Sequence, residues 1–127
     1  MPDLKTAISQ FGADAKAKLA NPAVTGEPED QLRAPLEALF ADLAELCGFT
    51  REWLAAVGEA PLSTLKTRPD YAITLLRALV GFVEVMAPGT GADPRRYKGH
   101  DKEQWEKLQS LPNLLYTDGN SFGLWQN

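Results

Sequence analysis

Cysteine is nearly absent. Cys47 stands alone in 127 residues, which excludes an intramolecular disulfide and a cysteine-based zinc site. It falls in an apolar helical pattern and is expected to be a small core residue. Histidine also occurs once, as His100, which reads as a loop hydrogen-bonder rather than a metal ligand. Positive charge is not in excess: the net charge is -4, so any affinity for nucleic acid has to come from a local basic patch. No apolar run approaches the roughly 20 residues that a membrane-spanning helix needs. The longest candidate, 71–83, is interrupted by Arg77. The N-terminus has no basic stretch leading into an apolar core, so no secretory signal is read. A cytoplasmic protein without a membrane partner is expected. Internal repeats and low-complexity segments are missing as well.

What is present suits a globular domain: 44% apolar and 24% charged residues, in a chain long enough to bury a core. Residues 3–20 predict an amphipathic helix with Leu4, Ile8, Phe11, Ala15 and Leu19 in a stripe and Asp3 as its cap. Residues 1–24 are read as this helix and a linker, and 25–127 as the domain proper, a piece of a longer protein. A second helix is expected over 28–47, with Gly48 as its stop and a kink or restart at Pro35. Residues 50–67 hold either a short helix capped by Thr50 or a strand over 51–57. Two strands, 70–76 and 79–86, are joined at about Arg77-Ala78, short enough for an antiparallel hairpin. A Gly/Pro-rich loop follows, then a helix over 101–110 capped by Asp101. Two final strands, 113–117 and 122–125, flank an Asp118-Gly119 turn. The order predicts an α/β sandwich with a mixed sheet.

The chemistry concentrates on the first hairpin. Asp70 follows Pro69 and opens one strand; Glu84 closes the next. Carboxylates on neighbouring strands can converge on one divalent cation, and the Val85 carbonyl is a further hard oxygen donor beside them. Two strand-end acids in a solvated hairpin are the plainer alternative. Glu29 falls on the apolar arc of the second helix, and two roles stay open for it. It is either a first-turn carboxylate favoured by the helix dipole or a third acid reaching the cation. Met86 lies two residues after Glu84 and shares its strand face. Downstream, Arg95, Arg96, Lys98, His100 and Lys102 form a cationic cluster able to contact phosphates, or a solvated surface. Gln104 lies on the helix behind it.

Together these residues resemble the PD-(D/E)XK nuclease superfamily, with Met86 where the pattern has lysine. From about residue 27 onward the chain is similar to the nuclease-like domain ahead of adenine-specific DNA methyltransferases in single-chain restriction-modification enzymes. The carrying pieces are Glu29-Asp30-Gln31-Leu32-Arg33, Arg68-Pro69-Asp70-Tyr71, Gly81 to Gly89, Lys98 to Trp105 and Leu111 to Gly119. The resemblance implies a restriction-endonuclease-like α/β sandwich, with a central mixed sheet flanked by helices. It implies Mg²⁺-dependent phosphodiester hydrolysis through Asp70 and Glu84, with the 102–104 helix and Gln104 helping to hold DNA or the site. Expected partners are DNA and the methyltransferase and target-recognition parts of a full-length chain. No Gly-rich loop for S-adenosylmethionine and no Asn/Asp-Pro-Pro-aromatic tetrad occurs in the 127 residues, so the chain is not read as a methyltransferase itself. A lysine at position 86 would orient the attacking water and offset charge growing on the phosphate; a thioether has neither charge nor donor. The endonuclease is therefore expected to be silent, whether Met86 was introduced or arose by decay, and the intact flanking motifs favour the former. The alternative is a DNA- or partner-binding module that keeps the nuclease fold.

Overall fold

The structure is a computed structural model that describes residues 3–20, 31–58 and 69–126. Helices α1 (Leu4–Ala20) and α2 (Arg33–Leu46) come first, followed by strands β1 (Leu54–Gly58), β2 (Tyr71–Leu75) and β3 (Ala78–Val85). Helix α3 (Gly99–Leu108) then crosses over to β4 (Leu114–Thr117) and β5 (Phe122–Trp125). The five strands form one sheet in sequence order. All neighbours are antiparallel except β3 and β4, which the α3 crossover makes parallel.

Strand alternation gives the sheet two apolar faces. Tyr71, Val83 and Val85 point to one face, where Phe11 of α1 and Leu36, Leu39 and Phe40 of α2 cover them. Ala72, Phe82, Met86, Leu114 and Tyr116 point to the other, against Leu108 of α3 and Tyr97 of the preceding loop. Helices on both faces of a mixed sheet make the expected α/β sandwich. Helix α1 packs in the same core as α2, through Ala7, Phe11 and Ala15. Its Asp3 Oδ1 accepts from the Thr6 N–H at 2.7 Å, as a cap should. Ala7, Phe11 and Ala15 are the buried stripe, whereas Leu4, Ile8 and Leu19 are exposed.

Several boundaries differ from the expected ones for local reasons. Pro35 sits in the first turn of α2, where a missing N–H leaves no intrahelical bond unmade, so it does not kink the helix. The α2 C-terminus closes with Gly48 at φ +89, its N–H donating to the Glu45 carbonyl while the Phe49 N–H reaches back to Ala44. That motif puts Cys47 at the cap and exposes it, contrary to its expected core position. Residues 51–53 form a 3-10 turn that runs straight into β1, so both readings of that segment hold in part. Arg51 ties this turn to α2 through Asp42 and Glu45.

The β2–β3 loop is Leu76-Arg77, one step earlier than expected, and both residues have positive φ, 52° and 70°. An extra residue in β3 shifts the register between Ile73 and Thr74, a β-bulge at Val80. Helix α3 starts at Gly99 with Lys98 as the capping position, so Asp101 lies inside the first turn and is not the cap. The β4–β5 turn is held by Asp118, whose Oδ1 accepts from Asn120 N–H, Ser121 N–H and the Ser121 hydroxyl. Gly81 lies against β4: a Cβ there would meet the Asn113 carbonyl oxygen at 2.8 Å, so glycine permits the close β3–β4 approach.

Candidate active site

Asp70 precedes the Tyr71↔Val83 rung of the β2–β3 ladder, which sets it beside Glu84 at the open end of the hairpin. The two residues interlock. The Asp70 N–H donates to Glu84 Oε1 at 2.8 Å, and the Val85 N–H donates to Asp70 Oδ2 at 2.7 Å. Val85 turns its side chain into the α1/α2 core, which leaves its carbonyl as the group it can offer. Asp70 is half-buried, and Arg33 of α2 approaches its Oδ1 at 3.7 Å. The same guanidinium stacks over the Tyr71 ring at 5.3 Å, and the Tyr71 hydroxyl donates to Glu37 Oε2 at 3.4 Å. Burial, with Glu37 nearby, pushes the Tyr71 hydroxyl up to about 12.

Glu84 is 5% exposed. Burial and then the Asp70 carboxylate raise its carboxyl from 4.5 to about 8, outweighing the stabilising Asp70 N–H. Asp101, from the first turn of α3, adds further negative potential. Asp101, Gln104, Trp105 and Leu108 follow at helical spacing on the turned-in side of α3, all partly or fully buried. Tyr116 is the direct partner of Glu84 across β3–β4. Its hydroxyl is buried and, among the described residues, has no hydrogen-bond partner.

These groups suit a small hard cation. The donors are oxygens, one of them a carboxylate whose burial, and then a second carboxylate, favour its protonated form, so a divalent ion could take the proton's place. The Tyr116 hydroxyl, on the register partner of Glu84, is a further polar group left unmatched among the described residues. Among the described residues no cluster of three or more His, Cys, Asp or Glu has metal-holding geometry. Among the described residues, Asp70, Glu84 and the Val85 carbonyl are the donors that could hold such an ion, with water completing its shell. Glu29 lies outside the described residues.

Met86 occupies the face expected from its spacing. It is 6% exposed and packs in the apolar cluster with Phe82, Tyr97, Leu108 and Tyr116. The loop cations separate into two groups. Arg95 is committed to Asp93, its Nε and Nη2 donating to the two carboxylate oxygens at 3.0 Å each, and it lies over the Trp125 ring at 4.9 Å. Arg96, Lys98, His100 and Lys102 are exposed along the turn and the start of α3. A cavity of about 380 Å³ between α2 and β1–β3 is walled by apolar residues such as Phe40, Leu43 and Ile73 and contains none of the acids.

Sequence pattern alone missed Asp101, Arg33 and Tyr116. The i, i+3, i+4, i+7 spacing from Asp101 to Leu108 was a usable signal for the first. Arg33 and Tyr116 arrive from elements distant in sequence. No protein-family model, curated protein or solved structure matches the chain significantly.

Proposed function

We propose that the chain is an endonuclease domain of a restriction-modification enzyme whose acid site is built and whose hydrolytic step is silenced at Met86. Asp70 and Glu84 would hold Mg²⁺, with the Val85 carbonyl as a further oxygen donor. When bound there, Mg²⁺ supplies polarisation of a phosphoryl oxygen and a hydroxide source near neutral pH. The chain's own part is to fix the two carboxylates through their reciprocal backbone hydrogen bonds and to shield Glu84 from bulk water. Arg96, Lys98 and Lys102 would meet the DNA backbone, with the rest of a longer enzyme supplying target recognition. The observation that carries this is the interlocked Asp70–Glu84 pair, held by two reciprocal backbone hydrogen bonds.

Met86→Lys should create Mg²⁺-dependent cleavage of DNA, and Met86→Lys with Asp70→Ala should abolish it. Loss of one preorganised stabilising group typically costs about 10²–10³ in rate, so the parent should be nearly silent. The assay belongs both in this chain and in a full-length enzyme with its cognate site. Equal cleavage by parent and Met86→Lys in both would remove the silenced-nuclease reading. A DNA- or partner-binding module would then take its place. The complete absorption of Met86 into the apolar cluster favours that second reading, because the position already serves as core.

A further inference from the structure

Tyr116 is 1% exposed, and its hydroxyl finds no partner among the described residues. A buried hydroxyl left unpaired costs roughly 1–3 kcal/mol. Phenylalanine would fill the same volume without that cost, so the oxygen calls for a physical reason. Its neighbours supply one. Asp70, Glu84 and Tyr116 follow one another across β2, β3 and β4, with Glu84 and Tyr116 in direct register. Parallel register partners project from the same face. Asp101, partly buried in the first turn of α3, adds negative potential at Glu84 and at the Tyr97 and Tyr116 hydroxyls. A tyrosine hydroxyl is neutral near pH 7 and can both donate and accept a hydrogen bond. Tyr97 is the instructive contrast. Its ring meets Tyr116 edge-on at 5.5 Å, yet its hydroxyl is satisfied, donating to the Gly91 carbonyl at 2.7 Å.

We propose that Tyr116 is a positioning residue of the acid site, its hydroxyl holding a water of the hydrated cation against Glu84. This rests on the Mg²⁺-site reading of Asp70 and Glu84. Mg²⁺ keeps several of its waters when protein carboxylates bind it, and those waters need partners of their own. A hydroxyl that can both give and accept, fixed by a rigid strand beside the buried ligand, is such a partner. Outer partners of this kind typically alter metal affinity by about 10–100-fold.

The test is a thermal-shift and calorimetric titration of the full chain with Mg²⁺, comparing the parent with Tyr116→Phe, Tyr97→Phe and Glu84→Gln. Tyr116→Phe should keep or raise the metal-free melting temperature and weaken Mg²⁺ binding about 10-fold. Tyr97→Phe should lower the metal-free melting temperature, because it loses a made hydrogen bond, and leave Mg²⁺ affinity unchanged. Glu84→Gln should abolish binding. If Glu84→Gln abolishes binding and Tyr116→Phe does not weaken it, the role given to Tyr116 is wrong and the acid site stands. A Tyr116→Phe protein that is less stable without metal would also overturn it, since the hydroxyl would then have a structural partner. If the parent binds no Mg²⁺ at all, both the acid-site reading and the role of Tyr116 fall.

Discussion

Asp70 and Glu84 hold each other through the backbone: the Asp70 N–H binds the Glu84 carboxylate, and the Asp70 carboxylate binds the amide that follows Glu84. Two like charges are thereby kept adjacent with one of them out of water. That arrangement is unfavourable without a proton or a cation, and it makes the pair measurable by pH.

Glutamate in the unfolded chain titrates at its ordinary 4.5, whereas folded Glu84 keeps its proton to about 8. The folded state therefore binds more protons across that window. The stability contributed by neutral Glu84 is complete below about 4.5 and is lost as pH rises through about 8. Without metal, the melting temperature should fall over that range, by an amount on the order of a few kcal/mol in stability. Glu84→Gln should flatten the slope and be the more stable protein at the alkaline end. A parent curve that rises from pH 5 to 8 would contradict this.

Met86→Lys has a stability consequence besides its catalytic one. The new ammonium enters a site that is now apolar and 6% exposed, so the variant should lose about 1–3 kcal/mol by chemical denaturation. It should also favour ionised Glu84, since an adjacent cation stabilises the carboxylate. The alkaline loss of stability should then be smaller than in the parent. A Met86→Lys protein with the parent's pH slope would show that the ammonium points away from the pair.

The exposed cations and Arg95 should behave differently toward DNA. Arg96, Lys98 and Lys102 replaced together by alanine should weaken binding across sequences and reduce the salt slope by about 2–3. Arg95→Ala should change the slope little, because its charge is already paired with Asp93. An unchanged slope in the triple variant would assign those side chains to ordinary solvated surface.

Leu76 and Arg77 turn the β2–β3 hairpin with left-handed backbone, a conformation that disfavours side chains carrying a Cβ. Changing Leu76-Arg77 to Asn-Gly should stabilise the fold by about 1–2 kcal/mol, read from the urea midpoint at unchanged m. A lower midpoint would mean that the exposed Leu76 side chain makes a contribution larger than the strain.

The sheet was legible because Tyr71–Leu75 and Ala78–Val85 are apolar runs broken by little else, and because Asp118-Gly119 marks a turn by its chemistry. The sandwich followed from the order of elements. The exact loop position is not legible, because Leu76 and Arg77 carry no turn signal; their conformation is imposed by the strand register on either side. An aspartate before an amphipathic run usually caps it, which is the cue Asp101 offers, while here Gly99 admits the helix two residues earlier. Asp70 and Glu84 could be paired from spacing alone, since a short hairpin allows few registers. Tyr116 could not be joined to them, because nothing local reveals that β4 lies parallel beside β3.

The parallel β3–β4 pairing also orders events in time. Asp70 and Glu84 meet within a short hairpin, an event of about 1–10 μs, whereas the Glu84–Tyr116 rung waits for the whole α3 crossover to close. Topology alone thus predicts that the acid pair assembles before the element that flanks it. Mg²⁺ present during refolding should accelerate the folding limb and not merely slow unfolding, which stopped-flow chevrons with and without the ion would reveal. An effect confined to the unfolding limb would place the completion of the pair after the rate-limiting barrier.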